Sequence, residues 1–444
     1  MVAGPLACQS IGARATARSA TLGAVTSRAL WLYRVAVAAA LPVAAPLLLA
    51  AARRRGTHRP PLAERFARDL PPLAPGGVWM QAVSVGEVTV ARPLLAELKR
   101  RHPELPLVLS ATTATGLQVA RAHGVADAVI TFPLDLPGPV RRALDAIRPR
   151  LVVLVETEIW PELLAACARR EIPVALVNAR VSERSFRRYR LVRPLLEPLL
   201  GAVSLALAQD SLDADRLAAI GVRRDRLAVT GNLKFDVAPP APPPEIAGEL
   251  RRLADGRPVW IAGSTVAGEE ELVVGAWARL PVARRPFLIV APRHPERAEE
   301  AVAAARQHAA RVLRRTALPG ATACDVVVLD TIGELAALYE LAAVAFVGGS
   351  LVPTGGHNPI EPARCGVPVL TGPYISNFLT IYEQFIDCGA ARVVRDAPSL
   401  AAAVLELTGA PEAARAAGAA GRALLERHAG ATRRSADALE RFLA

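Results

Sequence analysis

The stretch Leu151-Val152-Val153-Leu154-Val155-Glu156-Thr157-Glu158-Ile159-Trp160-Pro161 decides how the chain reads. Its first five residues are all apolar, with no alternation of polar and apolar positions. A strand of that kind is covered on both faces, which is the mark of a parallel sheet flanked by helices. Two carboxylates follow the strand, and Pro161 suits the first turn of a helix. In extended backbone, residues 156 and 158 point the same way. Helix capping accounts for one acid but not for both. The other reading has one of them acting as an acid or fixing a partner cation.

Working outward, the same grammar recurs. Strands are expected at Val78–Val83, Leu107–Ser110, Ala128–Phe132, Leu151–Val155, Val174–Val177 and Leu205–Ala208, with amphipathic helices such as Val88–Arg100 and Pro161–Arg170 between them. The stretch Pro239-Pro240-Ala241-Pro242-Pro243-Pro244 is a stiff spacer and marks a boundary. The pattern then restarts, with strands expected at Val259–Ala262, Phe287–Ala291, Val326–Leu329, Ala343–Val347 and Val367–Leu370 and a helical Ala/Arg/Glu/Leu-rich end. The expected organisation is an N-terminal extension with a membrane anchor (1–63), a first Rossmann-like domain (64–238), a Pro-rich linker (239–250) and a second Rossmann-like domain with a C-terminal helix (251–444). Two such parallel-sheet domains facing a cleft would place a ligand at the carboxyl ends of both sheets.

The 444 residues carry 53 Lys+Arg against 41 Asp+Glu, a formal charge of +12, and 52% are hydrophobic. That hydrophobicity excludes intrinsic disorder. Five cysteines with no C-x-x-C pair exclude a disulfide scaffold and argue against a zinc or iron–sulfur site. Residues 1–63 hold eight Arg, no Lys and no acid, so most of the net charge sits there. Val35–Ala52 is an apolar run of 18 residues closed by Arg53-Arg54-Arg55, just long enough for a hydrocarbon core of about 30 Å. An uncleaved anchor with its arginines on the cytoplasmic side is the favoured reading; a signal peptide, a transit peptide or a misplaced start codon are the alternatives. Aromatics are only 4% and do not interleave with basic clusters, so the charge points to an anionic membrane or an acidic substrate rather than nucleic acid. No G-x-G-x-x-G follows a strand, and no P-loop motif is present.

Five further strings carry chemistry. Val83-Ser84-Val85-Gly86-Glu87 closes a strand and opens a helix. Gly86 lets a ligand approach the backbone, and Glu87 is either a cleft-facing base or an acid complementing the helix dipole. Gly231-Asn232-Leu233-Lys234-Phe235-Asp236 follows the strand-like Leu227–Thr230 and offers a lysine, scarce in this chain, as a point charge for an anion. In Ala291-Pro292-Arg293-His294-Pro295-Glu296-Arg297, Arg293 can grip an anion in a bidentate fashion beside a helix start, and His294 can contact a base or phosphate. Gly263-Ser264-Thr265 is a second anion-friendly turn. Gly348-Gly349-Ser350 followed by Gly355-Gly356-His357-Asn358-Pro359-Ile360-Glu361-Pro362 leaves backbone N–H groups open to a nucleotide, and Glu361 can accept from the hydroxyls of a ribose. Asp213-Ala214-Asp215 matches a metal-binding D-x-D but reads as capping of a helix over Leu212–Ile220.

Taken together, the strings VSVGE, ETEIWPE, the Asn178–Ser185 segment, GNLKFD, APRHPER and GGHNPIEP resemble the 3-deoxy-D-manno-octulosonic acid (Kdo) transferases, in the family's order and spacing from about Trp31 to the C-terminus. The resemblance implies a GT-B fold, with a C-terminal helix that crosses back to the first half. It implies inverting transfer of Kdo from CMP-Kdo to the lipid A precursor lipid IV-A, for lipopolysaccharide, at the inner face of the cytoplasmic membrane. By the same resemblance Glu87 matches the general base, and Glu158 and Lys234 match groups that support the transition state. Arg293 and His294 match donor-nucleotide contacts, as do Ile332, Gly333, Glu334, Asn358, Pro359, Ile360 and Glu361. Many members have His where this chain has Gln81, so no role for that His carries over. No metal or other cofactor is expected, because Arg, Lys and helix dipoles can stabilise a monophosphate leaving group. Two rivals stand beside this reading. One is a transferase or epimerase of the same fold using UDP; the other is a non-catalytic nucleotide-binding scaffold.

Overall fold

The computed structural model describes residues 30–37, 39, 62–237, 242–308 and 311–443. The chain divides into two compact units. The first ends at Val237 and takes in the C-terminal stretch from Ala429, and the second is Ala238–His428.

The first unit is a seven-stranded, wholly parallel sheet: β1 (Val78–Ala82), β2 (Leu107–Ala111), β3 (Ala128–Thr131), β4 (Leu151–Val155), β5 (Val174–Ala179), β6 (Leu205–Ala208) and β7 (Leu227–Val229). Their order is β3-β2-β1-β4-β5-β6-β7, with Val78 in register with both Leu107 and Leu151. The strand order therefore reverses between β1 and β4, the place where open α/β sheets leave a crevice beyond their carboxyl ends. The apolar run of β4 is explained by what covers it. Val152 and Leu154 belong to the same cluster as Val140, Leu144 and Leu163 on one face. Leu151, Val153 and Val155 belong with Leu94, Leu98 and Leu439 on the other.

The second unit repeats the plan with β8 (Val259–Thr265), β9 (Phe287–Pro292), β10 (Val312–Arg314), β11 (Val326–Val328), β12 (Val344–Val347), β13 (Val369–Thr371) and β14 (Ala391–Val393). Its order is β10-β11-β9-β8-β12-β13-β14, again parallel, with the reversal between β8 and β12. The sequence reading missed β10 and β14. Both are three-residue edge strands, and each carries an Arg that breaks its apolar run.

Two expected boundaries move. Residues from Pro244 form a helix, Pro244–Ala254, whose Leu250 and Leu253 are buried in the second unit, so only the described Pro242 and Pro243 of the expected linker stay outside regular structure. The C-terminal helix Ala431–Leu439 belongs to the first unit rather than to a 251–444 domain, as its crossing back implies. It packs Ala436 and Leu439 against the Val85–Arg101 helix. Asp236 accepts from the Gly430 and Thr432 N–H groups, and Arg101 pairs with Asp437 and Glu440.

The Val35–Ala52 anchor and the Arg53–Arg55 collar lie, apart from residues 35–37 and 39, outside the described residues. Among the described residues no helix is long and apolar enough to cross a membrane. Residues 30–37 are helical and held to the first unit. Leu30 is buried, the Tyr33 hydroxyl donates to Asp135, and Arg34 forms a bidentate pair with the buried Glu162 at 2.8 Å. Trp31, Leu32 and Val35 are exposed.

Candidate functional site

In the first unit the candidate residues gather at the carboxyl ends of β1 and β4, the two strands of the order reversal. Glu87 stands in the first turn of the Val85–Arg101 helix. Its carboxylate accepts the Val83 N–H at 2.7 Å and the Ser84 hydroxyl at 3.2 Å. Those bonds are what a capping acid makes, and taken alone they would lower its proton affinity. Burial outweighs them, and Glu156 and Glu158 add their repulsion, so the Glu87 pKa is pushed up to about 7. Glu158 is likewise pushed up to about 7, by burial first and then by Glu156. Gly86 is not demanded by the protein itself: a methyl there would meet nothing closer than the Ser84 hydroxyl at 3.8 Å.

Lys234 lies on the short turn Leu233–Asp236, next to the Val85–Arg101 helix, and its ammonium pairs with Glu156 at 3.1 Å. The turn is tied down by Asn178, whose side-chain oxygen accepts the Leu233 N–H, and by Asn232, which accepts the Lys234 N–H. The expected pairing of like-pointing residues 156 and 158 fails, because Glu156 leaves extended backbone for the left-handed region, at φ +61°. Gln81 is fully buried in a chain of side chains: Trp79 donates to Ser110, Ser110 to Gln81, and Gln81 to Thr112. It braces the β1–β2 edge of the site. The D-x-D acids are occupied otherwise: Asp213 accepts the Val181 N–H and Asp215 pairs with Arg224, while Asp210 caps the helix.

In the second unit, Arg293 and His294 follow β9 and are exposed. Their loop is pinned by Arg297, which pairs with the buried Glu270, and by the Arg293 N–H donating to the Thr265 carbonyl. Ile332 is exposed at the tip of the turn after β11, and Gly333 sits at φ +89°. The Glu334 carboxylate is taken up by Arg315, in a bidentate pair, and by Thr331. Glu334 therefore shapes this turn. Pro359 precedes the short helix Ile360–Arg364. Asn358 accepts the Ile360 N–H and donates to Glu361. Burial holds the Glu361 carboxyl above the usual range, against the pull of Asn358 and Arg293.

Two residues carry more of this half than the sequence suggested. Glu269 is fully buried, and its two oxygens accept four backbone N–H groups, from Val266, Gly349, Ser350 and Leu351, so it sets the Gly348–Leu351 loop. In sequence it reads as one of three acids in a helix's first turn; the missing signal was that a carboxylate can bind a distant loop. His357 lies with its ring against Gly349, where a Cβ would come within 2.6 Å of the ring. Burial and the nearby Arg293 and His294 push its pKa down to about 4, so the ring is neutral. Its Nε2 is buried without a hydrogen-bond partner.

A family profile described as "3-Deoxy-D-manno-octulosonic-acid transferase (kdotransferase)" matches residues 52–237. A 3-deoxy-D-manno-octulosonic acid transferase of Haemophilus influenzae is 35% identical over 87% of this chain and 92% of its own length. One of Bordetella pertussis is 39% identical over 85% and 90%. Among solved structures, a glycosyltransferase of Rickettsia africae superposes with a TM-score of 0.57 at 12% identity, covering 83% of this chain and 99% of its own. A UDP-GlcNAc 2-epimerase of Neisseria meningitidis gives 0.52 at 13%, covering 79% and 98%. At such identities these two structures speak for the fold, which transferases and epimerases share.

Proposed function

Since this chain belongs to the 3-deoxy-D-manno-octulosonic acid (Kdo) transferase family, we propose that it moves Kdo from CMP-Kdo to a hydroxyl of lipid IV-A, inverting the anomeric centre. The observation that carries the proposal is Glu87: a buried carboxyl at the switch point of the first sheet, with a pKa near 7. A base is most effective when its pKa lies close to the working pH. The acceptor oxygen forms its bond to the anomeric carbon as Glu87 takes the hydroxyl proton. The bond from that carbon to the phosphate oxygen breaks, and CMP leaves with the electron pair. Glu158 and Lys234 support the transition state, the ammonium by facing negative charge on the donor. Arg293 and His294, exposed at a helix start, take the phosphate. Neutral His357 and the Asn358–Glu361 turn belong to the nucleotide site of the second unit. Arginines and backbone dipoles supply the leaving-group stabilisation, so the reaction needs no metal.

An acylated acceptor explains an acid-free, Arg-rich N-terminus with an apolar run. We therefore place the enzyme on the cytoplasmic face of the inner membrane, in lipopolysaccharide synthesis, held by that segment and by anionic lipid. The deciding experiment is transfer from CMP-Kdo, generated in situ, to purified lipid IV-A, with wild type beside Glu87→Ala. A Kdo-bearing lipid from wild type, with a loss of at least about 10²-fold in the variant, supports reaction and base together. An inert wild type that still binds CMP removes the acceptor or the catalytic assignment. Tighter binding of UDP than of CMP would favour the sugar-nucleotide chemistry of the structural neighbours instead.

A further inference from the structure

The helix over residues 30–37 turns positions 30, 33 and 34 toward the first unit, the spacing of one helix face. Trp31, Leu32 and Val35 lie on the other face and are exposed. Two of the inward residues are polar, and each meets a buried acid. The Tyr33 hydroxyl donates to Asp135 at 2.9 Å, and Arg34 grips both oxygens of Glu162 at 2.8 Å. Asp135 and Glu162 are only 7% and 1% exposed. A tether held by lipid alone would be apolar all round and would have no use for such pairs.

Both acids serve one place in the fold. Asp135, in the loop after β3, accepts the N–H groups of Glu162 and Leu163 at 3.0 and 2.9 Å. Those are free donors at the start of the helix Pro161–Arg169, whose own N-cap residue, Trp160, supplies no side-chain bond. In the same loop the Phe132 ring meets the Trp160 ring with centroids 4.6 Å apart. The loop thus fixes Trp160, Glu162 and Leu163, and Glu158 stands two residues before Trp160. Glu162 has a second partner in Arg169, at 3.2 Å, whose side chain is mostly exposed.

We propose that Tyr33 and Arg34 are positioning residues for the transfer site: seated on Asp135 and Glu162, the N-terminal helix fixes the start of the Pro161–Arg169 helix and, through it, the place of Glu158. The proposal rests on the functional reading above. When the helix leaves its seat, Asp135 loses a donor and Glu162 stays buried with Arg169 alone. A buried carboxylate short of its partners is costly, so the helix start gives way to let water in. The residues that run into the apolar segment Val35–Ala52 are thereby joined to the reacting groups.

The test uses the full chain with Tyr33→Phe, which keeps the ring and loses the hydroxyl, and Arg34→Met, which keeps the stem and loses the fork. Arg34→Lys and the double variant Tyr33→Phe/Arg34→Met complete the set. Lipid IV-A is supplied in detergent, where a tether adds nothing to the rate. In the double variant kcat should fall roughly 10-fold, with the KM for CMP-Kdo within about 2-fold of wild type, because the donor contacts assigned above lie on the second unit. Amide hydrogen exchange at Glu162 and Leu163 should quicken by roughly 10-fold, while the amides of β4 and β5 keep their wild-type rates. Arg34→Lys should fall between wild type and Arg34→Met in both readings. Wild-type kcat in the double variant overturns the proposal. So does exchange that is unmoved, or that quickens through the whole sheet, since a merely structural contact would weaken the unit evenly and leave kcat per folded molecule unchanged. Should the double variant not fold, Tyr33→Phe carries both readings alone. Exchange needs no substrate, so a wild type that transfers no Kdo defeats the functional reading while the amides of Glu162 and Leu163 still judge Tyr33 and Arg34.

Discussion

Glu87 accepts two hydrogen bonds that any first-turn acid makes, and yet it binds its proton far more tightly than such an acid. The sequence left base and cap at even weight, and the folded chain shows why: both descriptions hold, and burial separates them. Activity should therefore rise with pH through about 7, the midpoint set chiefly by the burial of Glu87, and should survive chelation of divalent metal in a transfer assay. Glu158 gives a stability counterpart. Its folded pKa is raised from 4.5 to about 7, so the proton is held more tightly in the folded state than in the unfolded one. Its contribution is full below 4.5 and is lost as the pH climbs through 7. Glu158→Gln, with no proton to lose, should melt above wild type at pH 8, by on the order of 1–3 kcal/mol, and close to it at pH 4.5. Thermal melts at the two pH values decide this, and an equal shift at both would refute the sign. Gly86→Ala should fold at least as well as wild type, since the added methyl meets no clash, while the acceptor KM rises.

At the scale of elements, β4 was legible because a strand buried on both faces has to be apolar throughout, and its boundaries came out as expected. The edge strands β10 and β14 were not, since an exposed edge tolerates Arg314 and Arg392 and so loses the pattern. The glycine-rich loop after β12 was recognised from its composition, but the group that shapes it was not. Glu269 lies 80 residues before Gly349 in the chain, and only the adjacency of β8 and β12 in the sheet brings them together. Glu269→Gln would set an amide donor against backbone donors. We expect a loss of about 1–3 kcal/mol and a rise of roughly 10-fold in the CMP dissociation constant, read by calorimetry. Unchanged CMP affinity would remove Glu269 from the nucleotide side of the site.

At the scale of the molecule, the chain order of the helices hides where they belong. Ala431–Leu439 completes the core of a unit whose other residues end at Val237. Leu439→Ala should therefore destabilise the first unit by about 2–5 kcal/mol and leave the second unit's melting unchanged, which hydrogen exchange resolved by unit can check. Composition and periodicity by themselves determined two parallel α/β units, a basic N-terminus and the strings that bear the chemistry, because burial dictates apolar runs and turns dictate glycine and proline locally. Tertiary structure alone decided that Lys234 pairs with Glu156 rather than Glu158, that Glu334 is tied up by Arg315, that Glu269 holds a distant loop, and that the carboxyls titrate near neutrality. Each of these depends on which groups meet and how far water is kept from them. Neither quantity has a period in sequence.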